Sequence, residues 1–356
     1  MYTVSVEQLV MRYFVKYTRL DELVPKVFQN SNAKSVNIYI DLYGLYKTLL
    51  SRTYRTDISD YTAFIVSIVN MCAHYRGYFK SLRVSTKFFI ISSFNVPEMN
   101  SKFVASYNKT MYDKLKNQPV KEMIDININL LEVLCPYLPD IHFLKTEFES
   151  TVLMNYLIAR EKGIGNNNPN IIISTDIYPM QLCCLENTVF LKPRKTNNGD
   201  MSLMTYPFGH NMHEDSFWRI VCLERENLAS DKNKVMISSS NYMLLMALTR
   251  FPERNLKSIV NFTVANKLLG QIIEKSTTRY NISTIFNADK DLYSRYPKEL
   301  LDSRFKCLDM GYQSILFSES LEPHVIQYEN LNDPDAVRLI NDKYFSNNPI
   351  DIFKLN

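Results

Sequence analysis

The sequence predicts an α/β fold: a mostly parallel central sheet flanked by helices, followed by a helical C-terminal part. Three observations carry that prediction. Short apolar runs rich in β-branched and aromatic residues recur at 36–40, 86–94, 140–146 and 170–173. Stretches with apolar residues at helical spacing separate them, and strands alternating with helices argue for a parallel, doubly wound sheet. The run Ile171–Ile173, between Pro169 and Pro179, is apolar throughout, as a strand buried on both faces should be.

In chain order, Val6–Tyr17 and Leu20–Phe28 read as short amphipathic helices, with a polar break at Asn30–Ser35. "SVNIYIDLYGLYKTLLSR" gives a strand over Val36–Ile40 and a helix opening near Leu42. Residues 60–80 carry helical spacing, and "TKFFIISSF" is the second strand. Residues 98–122 are polar, basic and helical in propensity; 126–135 form another helix, and "DIHFLKT" is the third strand. Glu147–Lys162 is a helix leading to the strand at 170–173, whereas 187–216 reads as an irregular polar connection. From Asn241 the pattern is helical, and it becomes less regular after about residue 310. These boundaries divide the chain into a helical lead (1–35), an α/β domain (36–215), a helical unit (216–310) and an irregular tail (311–356).

Composition narrows the function classes. At 356 residues the chain has room for a large α/β domain and an appendage. A formal charge of +4 is too mild for a polycation, so any anion-binding face must come from local clustering. Six cysteines lie mostly among apolar neighbours without a repeated spacing, the pattern of buried thiols in a reducing compartment. No run of about 18 apolar residues and no charged-then-apolar leader is visible, which points away from the membrane. Few Gly beside abundant Ile, Asn, Lys and Tyr suggest an AT-rich genome such as a phage or other virus. The expected setting is therefore host cytoplasm or virion interior. No P-loop and no serine-nucleophile signature occurs, so no nucleotide cofactor is expected. His210, His213 and Cys222 lack a fourth zinc ligand at a usual spacing.

Strands in such sheets deliver functional side chains at their carboxyl ends. Asp41 and Asp176 occupy two such ends, and Glu147 and Glu149 precede the helix between them. An Asp after a strand also suits a helix N-cap, and a Glu before an apolar run suits the positive end of a helix dipole.

The order of these motifs resembles the PIN-like 5′-nuclease family, the flap endonucleases and 5′→3′ exonucleases of phage or polymerase type. "NIYIDLYGLYKTL" stands for its first strand ending in Asp, "TEFESTVLMNYLIAREKG" for its acidic helix start, and "IIISTDIYPMQL" for its fourth strand. "YMLLMALTRFPERNLKSIVNFTVANKLLGQII" stands for its helix-hairpin-helix-like DNA-binding unit, so the likeness runs over roughly residues 1–275. The resemblance implies a crevice in which acids hold two divalent cations about 4 Å apart, Mg²⁺ or Mn²⁺ in an active enzyme. Asp41, Glu149 and Asp176 match that set. Ser92 or Ser93, Thr151, Val152, Tyr178, Leu248 and Phe251 stand where acids are expected. The resemblance therefore implies a degenerate site, with no cofactor expected unless activity survives.

Basic residues follow the same order. Lys80, Arg83, Lys87, Lys102, Lys109, Lys114, Lys116 and Lys121 cluster with Phe103, Tyr107 and Tyr112, where the family has its arch at about 95–125. Cations contact phosphates and aromatic rings stack on bases, although a charge run also suits a solvated helix face. Arg250, Arg254, Lys257, Lys267, Lys275 and Arg279 form a second patch, without the glycine that brings hairpin backbone close to phosphate. Three readings stay open. One is a degenerate nuclease homologue that binds nucleic acid, DNA before RNA, or viral proteins in replication, packaging or assembly. The others are an active metal-dependent 5′ nuclease and a structural protein that no longer touches DNA.

Overall fold

The computed structural model describes residues 18–19, 33–42, 61–93, 118–138, 140–146, 149–174, 187–195, 201–205, 217–221, 234–238 and 326–327, with Leu45, Tyr178, Pro179 and Leu182. Its elements in chain order are β1 (Thr18–Arg19), β2 (Ser35–Asp41), α1 (Tyr61–Ser81), β3 (Ser85–Ser93) and α2 (Gln118–Leu134). There follow β4 (Ile141–Thr146), α3 (Ser150–Gly163), β5 (Asn170–Ile173), β6 (Thr188–Lys195), β7 (Met201–Thr205), β8 (Phe217–Val221), β9 (Lys234–Ser238) and β10 (Ile326–Gln327). The chain divides into two compact units. Ser31–Asn95, Tyr112–Thr175 and Ser318–Asn356 make one, and Met1–Asn30, Val96–Met111 and Asp176–Phe317 the other.

The first unit holds the predicted sheet. Its strands run in the order β5-β2-β3-β4-β10, with β5, β2, β3 and β4 parallel and β10 antiparallel to β4. Central β2 is buried from Val36 to Asp41 and β5 over its whole length, which is why both read as unbroken apolar runs rather than alternating ones. Alternation of side chains along each strand then assigns the helices to faces. Arg76 of α1 lies over the Phe88 ring, 5.9 Å from its centroid. Glu132 of α2 pairs with Lys145 of β4. The register puts Ile38, Phe88, Ile90, Phe143 and Lys145 on one face. On the opposite face Ser150 of α3 reaches Asp41. Right-handed crossovers require this arrangement: steps from β2 to β3 to β4 in one direction share a face, and the return to β5 uses the other.

Helix ends explain two of the boundaries. At the end of α1, Val84 N–H donates to Phe79 O (3.0 Å) and Arg83 N–H to Lys80 O (3.0 Å), with Arg83 at φ 59°. At the end of α3, Asn166 N–H donates to Glu161 O (2.9 Å) and Gly165 N–H to Lys162 O (3.0 Å), with Gly165 at φ 81°. Both are Schellman closures, which need a left-handed residue after the helix. Gly165 adopts it freely, while Arg83 holds it against its own Cβ.

Three expectations are corrected. The stretch 187–216, read as irregular, contains β6 and β7 paired antiparallel from Leu191↔Thr205 to Lys195↔Met201. Pro193, opposite Leu203, and the flanking charges hid the strand, since proline lacks the ladder N–H. Strands β8 and β9 pair antiparallel within 216–310, the stretch read as helical, whose other residues lie outside the described ones. The helix expected at 126–135 begins at Gln118, because the basic segment before it joins the same helix. Helix α3 starts at Ser150, three residues later than expected. The helices expected over 6–17 and 20–28 lie outside the described residues.

Candidate functional site

Strand β2 ends in Asp41, and Leu42 is already helical. Beside it, β5 pairs Ile173 with Ile40, which brings Ser174 level with Asp41 at the same edge. Strand order reverses here: the chain leaves β2 toward β3 on one side and later returns to β5 on the other. Open α/β sheets take their ligands in the crevice at such a point, outside the carboxyl ends of the strands. The edge of β2 and β5 is therefore the candidate site, on topology alone.

Its centre is a buried carboxylate. Asp41 is only 2% exposed. Its Oδ1 accepts from the Ser150 hydroxyl at 2.9 Å, and its Oδ2 accepts from the Ser174 hydroxyl at 2.7 Å. Burying a carboxylate is unfavourable unless donors replace its water, and hydrogen bonds to a charged group contribute about 1.5–3 kcal/mol each. Ser150 is the first residue of α3, so the helix N-terminus meets this edge as well. Glu149 is the N-cap, extended at φ −63°, ψ 139°, and 7% exposed. Its backbone carbonyl receives Val152 N–H at 2.9 Å and Leu153 N–H at 3.2 Å, while its side chain makes no capping bond. Thr151 and Val152 are buried in the same first turn.

Of the predicted acids, the structure thus places Asp41 at the sheet edge and Glu149 next in sequence to a residue that contacts it. Asp176 and Glu147 lie outside the described residues. Ser150 and Ser174 are the functional residues that sequence reasoning passed over. Ser150 registered only as a residue that is not an acid, and Ser174 as part of a strand-end Ser-Thr-Asp; neither showed a pairing with Asp41. Among the described residues, no group of three His, Cys, Asp or Glu could hold a metal ion. Two carboxylates, one already serving two hydroxyl donors, do not make the oxygen-rich ligand set that two hard cations need. The described donors do not fit the pair of ions that the family resemblance implies.

The face that carries Asp41 also carries a row of rings. Tyr39 stacks on Phe89 (5.0 Å between centroids) and Phe89 on His142 (5.3 Å), across β2, β3 and β4. Burial, and then the Lys87 charge, lower the His142 pKa, while Asp140 opposes them. Burial raises the Tyr39 phenol, with Glu161 adding to it. On the other face, burial pushes the Cys72 thiol up to about 12. Cys72 and Cys135 are buried and free, as the cysteine pattern predicted for them.

Of the basic set, Lys80, Arg83 and Lys87 are exposed. Lys121 falls within α2. Lys102, Lys109, Lys114, Lys116, Arg250, Arg254, Lys257 and Lys267 lie outside the described residues. Among the described residues, no helix is long and apolar enough to cross a membrane.

Fold and site together define a doubly wound α/β domain with a buried acid at its topological switch point. No model of a known protein family matches the chain, and no curated protein matches it. Solved structures similar to it include the bacteriophage T5 D15 protein co-crystallised with metal ions, at 10% identity and TM-score 0.47, covering 90% of this chain and 99% of that one. Human GEN1 in complex with Holliday junction DNA is similar at 10% identity and TM-score 0.48, covering 97% of this chain and 74% of that one. The catalytic core of Rad2 with a DNA substrate is similar at 12% identity and TM-score 0.43, covering 92% and 89%.

Proposed function

We propose that this chain is a nucleic-acid-binding protein of 5′-nuclease architecture whose sheet-edge crevice does not hydrolyse phosphodiesters, and that it serves viral DNA replication, packaging or particle assembly. The observation that carries this reading is the state of Asp41. It stands where the first catalytic acid would stand, yet its two oxygens accept from serine hydroxyls on β5 and α3. Val152, buried in the first turn of α3, supplies hydrocarbon at another acidic position. The order of strands and motifs supports the nuclease architecture, and the basic, aromatic-bearing segment at 95–125 supports binding of a flexible strand.

A 5′-flap DNA substrate with Mg²⁺ or Mn²⁺ tests the first part and a salt titration the second. Expected are no cleavage and an affinity whose logarithm falls linearly with log[salt]. The slope should be about −0.7 for each single-strand phosphate neutralised. Replacing Lys102, Lys109, Lys114 and Lys116 by Ala should flatten it. Metal-dependent cleavage abolished in Asp41→Asn would establish an active reduced-site nuclease instead. A flat salt dependence would establish a protein that docks only to other proteins.

A further inference from the structure

Two buried hydroxyls from different elements converge on one carboxylate, and none of the three residues is near another in sequence. Asp41 is separated from Ser150 by 109 positions and from Ser174 by 133. We propose that Ser150 and Ser174 form a hydroxyl clasp on Asp41. It joins β2, α3 and β5 across the sheet edge and holds the buried carboxylate in place of a cation.

The chemistry follows from donor counts. A serine hydroxyl has one proton to give, and each of these gives it to Asp41. Each carboxylate oxygen therefore has a donor from inside the protein, where otherwise water or a metal ion would have to supply the positive field. Serines 150 and 174 are buried to 6% and 0% exposure, so water does not compete freely for the three oxygens. The placement is also economical in geometry: α3 begins at the clasp, and its N-terminus directs positive potential toward the same carboxylate. Ser150 and Ser174 are accordingly positioning residues. They fix the entry of α3 against the edge at the point where the strand order reverses, and they make the acid self-sufficient.

This inference rests on the reading of the site as non-hydrolytic. Stability and cation binding are measured apart from cleavage, so either reading can fail alone. The experiment is thermal unfolding of the full chain with and without millimolar Mn²⁺, together with calorimetric titration of Mn²⁺ alone. Ser150→Ala and Ser174→Ala should each lower Tm by about 3–8 °C, since each leaves a buried carboxylate oxygen short of a donor. Ser150→Thr, which keeps the hydroxyl, should recover most of that loss. Mn²⁺ should leave the wild-type Tm unchanged and, in the folded Ser150→Asp chain, raise it. Alanine variants that melt with the wild type overturn the clasp, even if Ser150→Asp fails to fold. Wild-type Mn²⁺ binding that vanishes in Asp41→Asn overturns the claim that the hydroxyls replace a cation.

Discussion

Replacing Asp41 by Asn and by Ala separates the need for a shape from the need for a charge. Asn keeps the planar group: its oxygen accepts from one serine, and its NH₂ donates to the other, whose hydroxyl rotates to accept. Two charge-assisted bonds of about 1.5–3 kcal/mol become neutral ones of about 0.5–1.5 kcal/mol. Against that loss, a side chain that is 2% exposed no longer buries a charge, whose desolvation costs several kcal/mol. The two effects are similar in size and opposite in sign, so Asp41→Asn should shift stability by no more than about 1 kcal/mol. Ala instead strands two buried hydroxyls, at about 1–3 kcal/mol each, and should destabilise by about 2–5 kcal/mol. Urea unfolding of the full chain, read as a change in midpoint at constant slope, checks both. Equal losses in the two variants would refute the reasoning, because the charge itself would then be what the fold requires. So would two silent variants.

Three further outcomes follow from particular residues. Arg83→Gly should stabilise by about 0.5–1 kcal/mol and Gly165→Ala should destabilise by a similar amount, since both positions are left-handed; the same urea midpoints measure them. The depressed pKa of His142 means that the unfolded chain binds its proton first, so stability should fall as pH drops through about 6.5. His142→Phe, which keeps the stack on Phe89, should flatten that acid limb in urea midpoints taken between pH 7 and 5. Cys72, with its thiol pushed up to about 12, and buried Cys135 should resist alkylation at pH 8 until the chain is unfolded, as mass spectrometry of labelled peptides would show.

How much of this was legible in sequence depended on range. Strands β2, β3, β4 and β5 announced themselves because a strand buried on both faces needs apolar residues at every position, a local property. Helix α1 did so through its spacing, and the alternation of the two element types implied a parallel sheet with helices on both faces. The hairpin of β6 and β7 was missed because local composition argued against it: Pro193 and its basic neighbours look like a connection until Met201–Thr205 supplies the partner strand. The site divided the same way. Asp41 was readable as a candidate because a strand-end acid is a local pattern. That its partners are the hydroxyls of Ser150 and Ser174 was not, since nothing in "FESTV" or "IISTD" refers to a residue more than a hundred positions away. Only the register of β2 on β5, and the crossover that brings α3 back to the opposite face, put those three side chains within hydrogen-bonding reach. Sequence determined the elements and one acid; tertiary structure decided what that acid is bonded to, because hydrogen bonds form between positions in space.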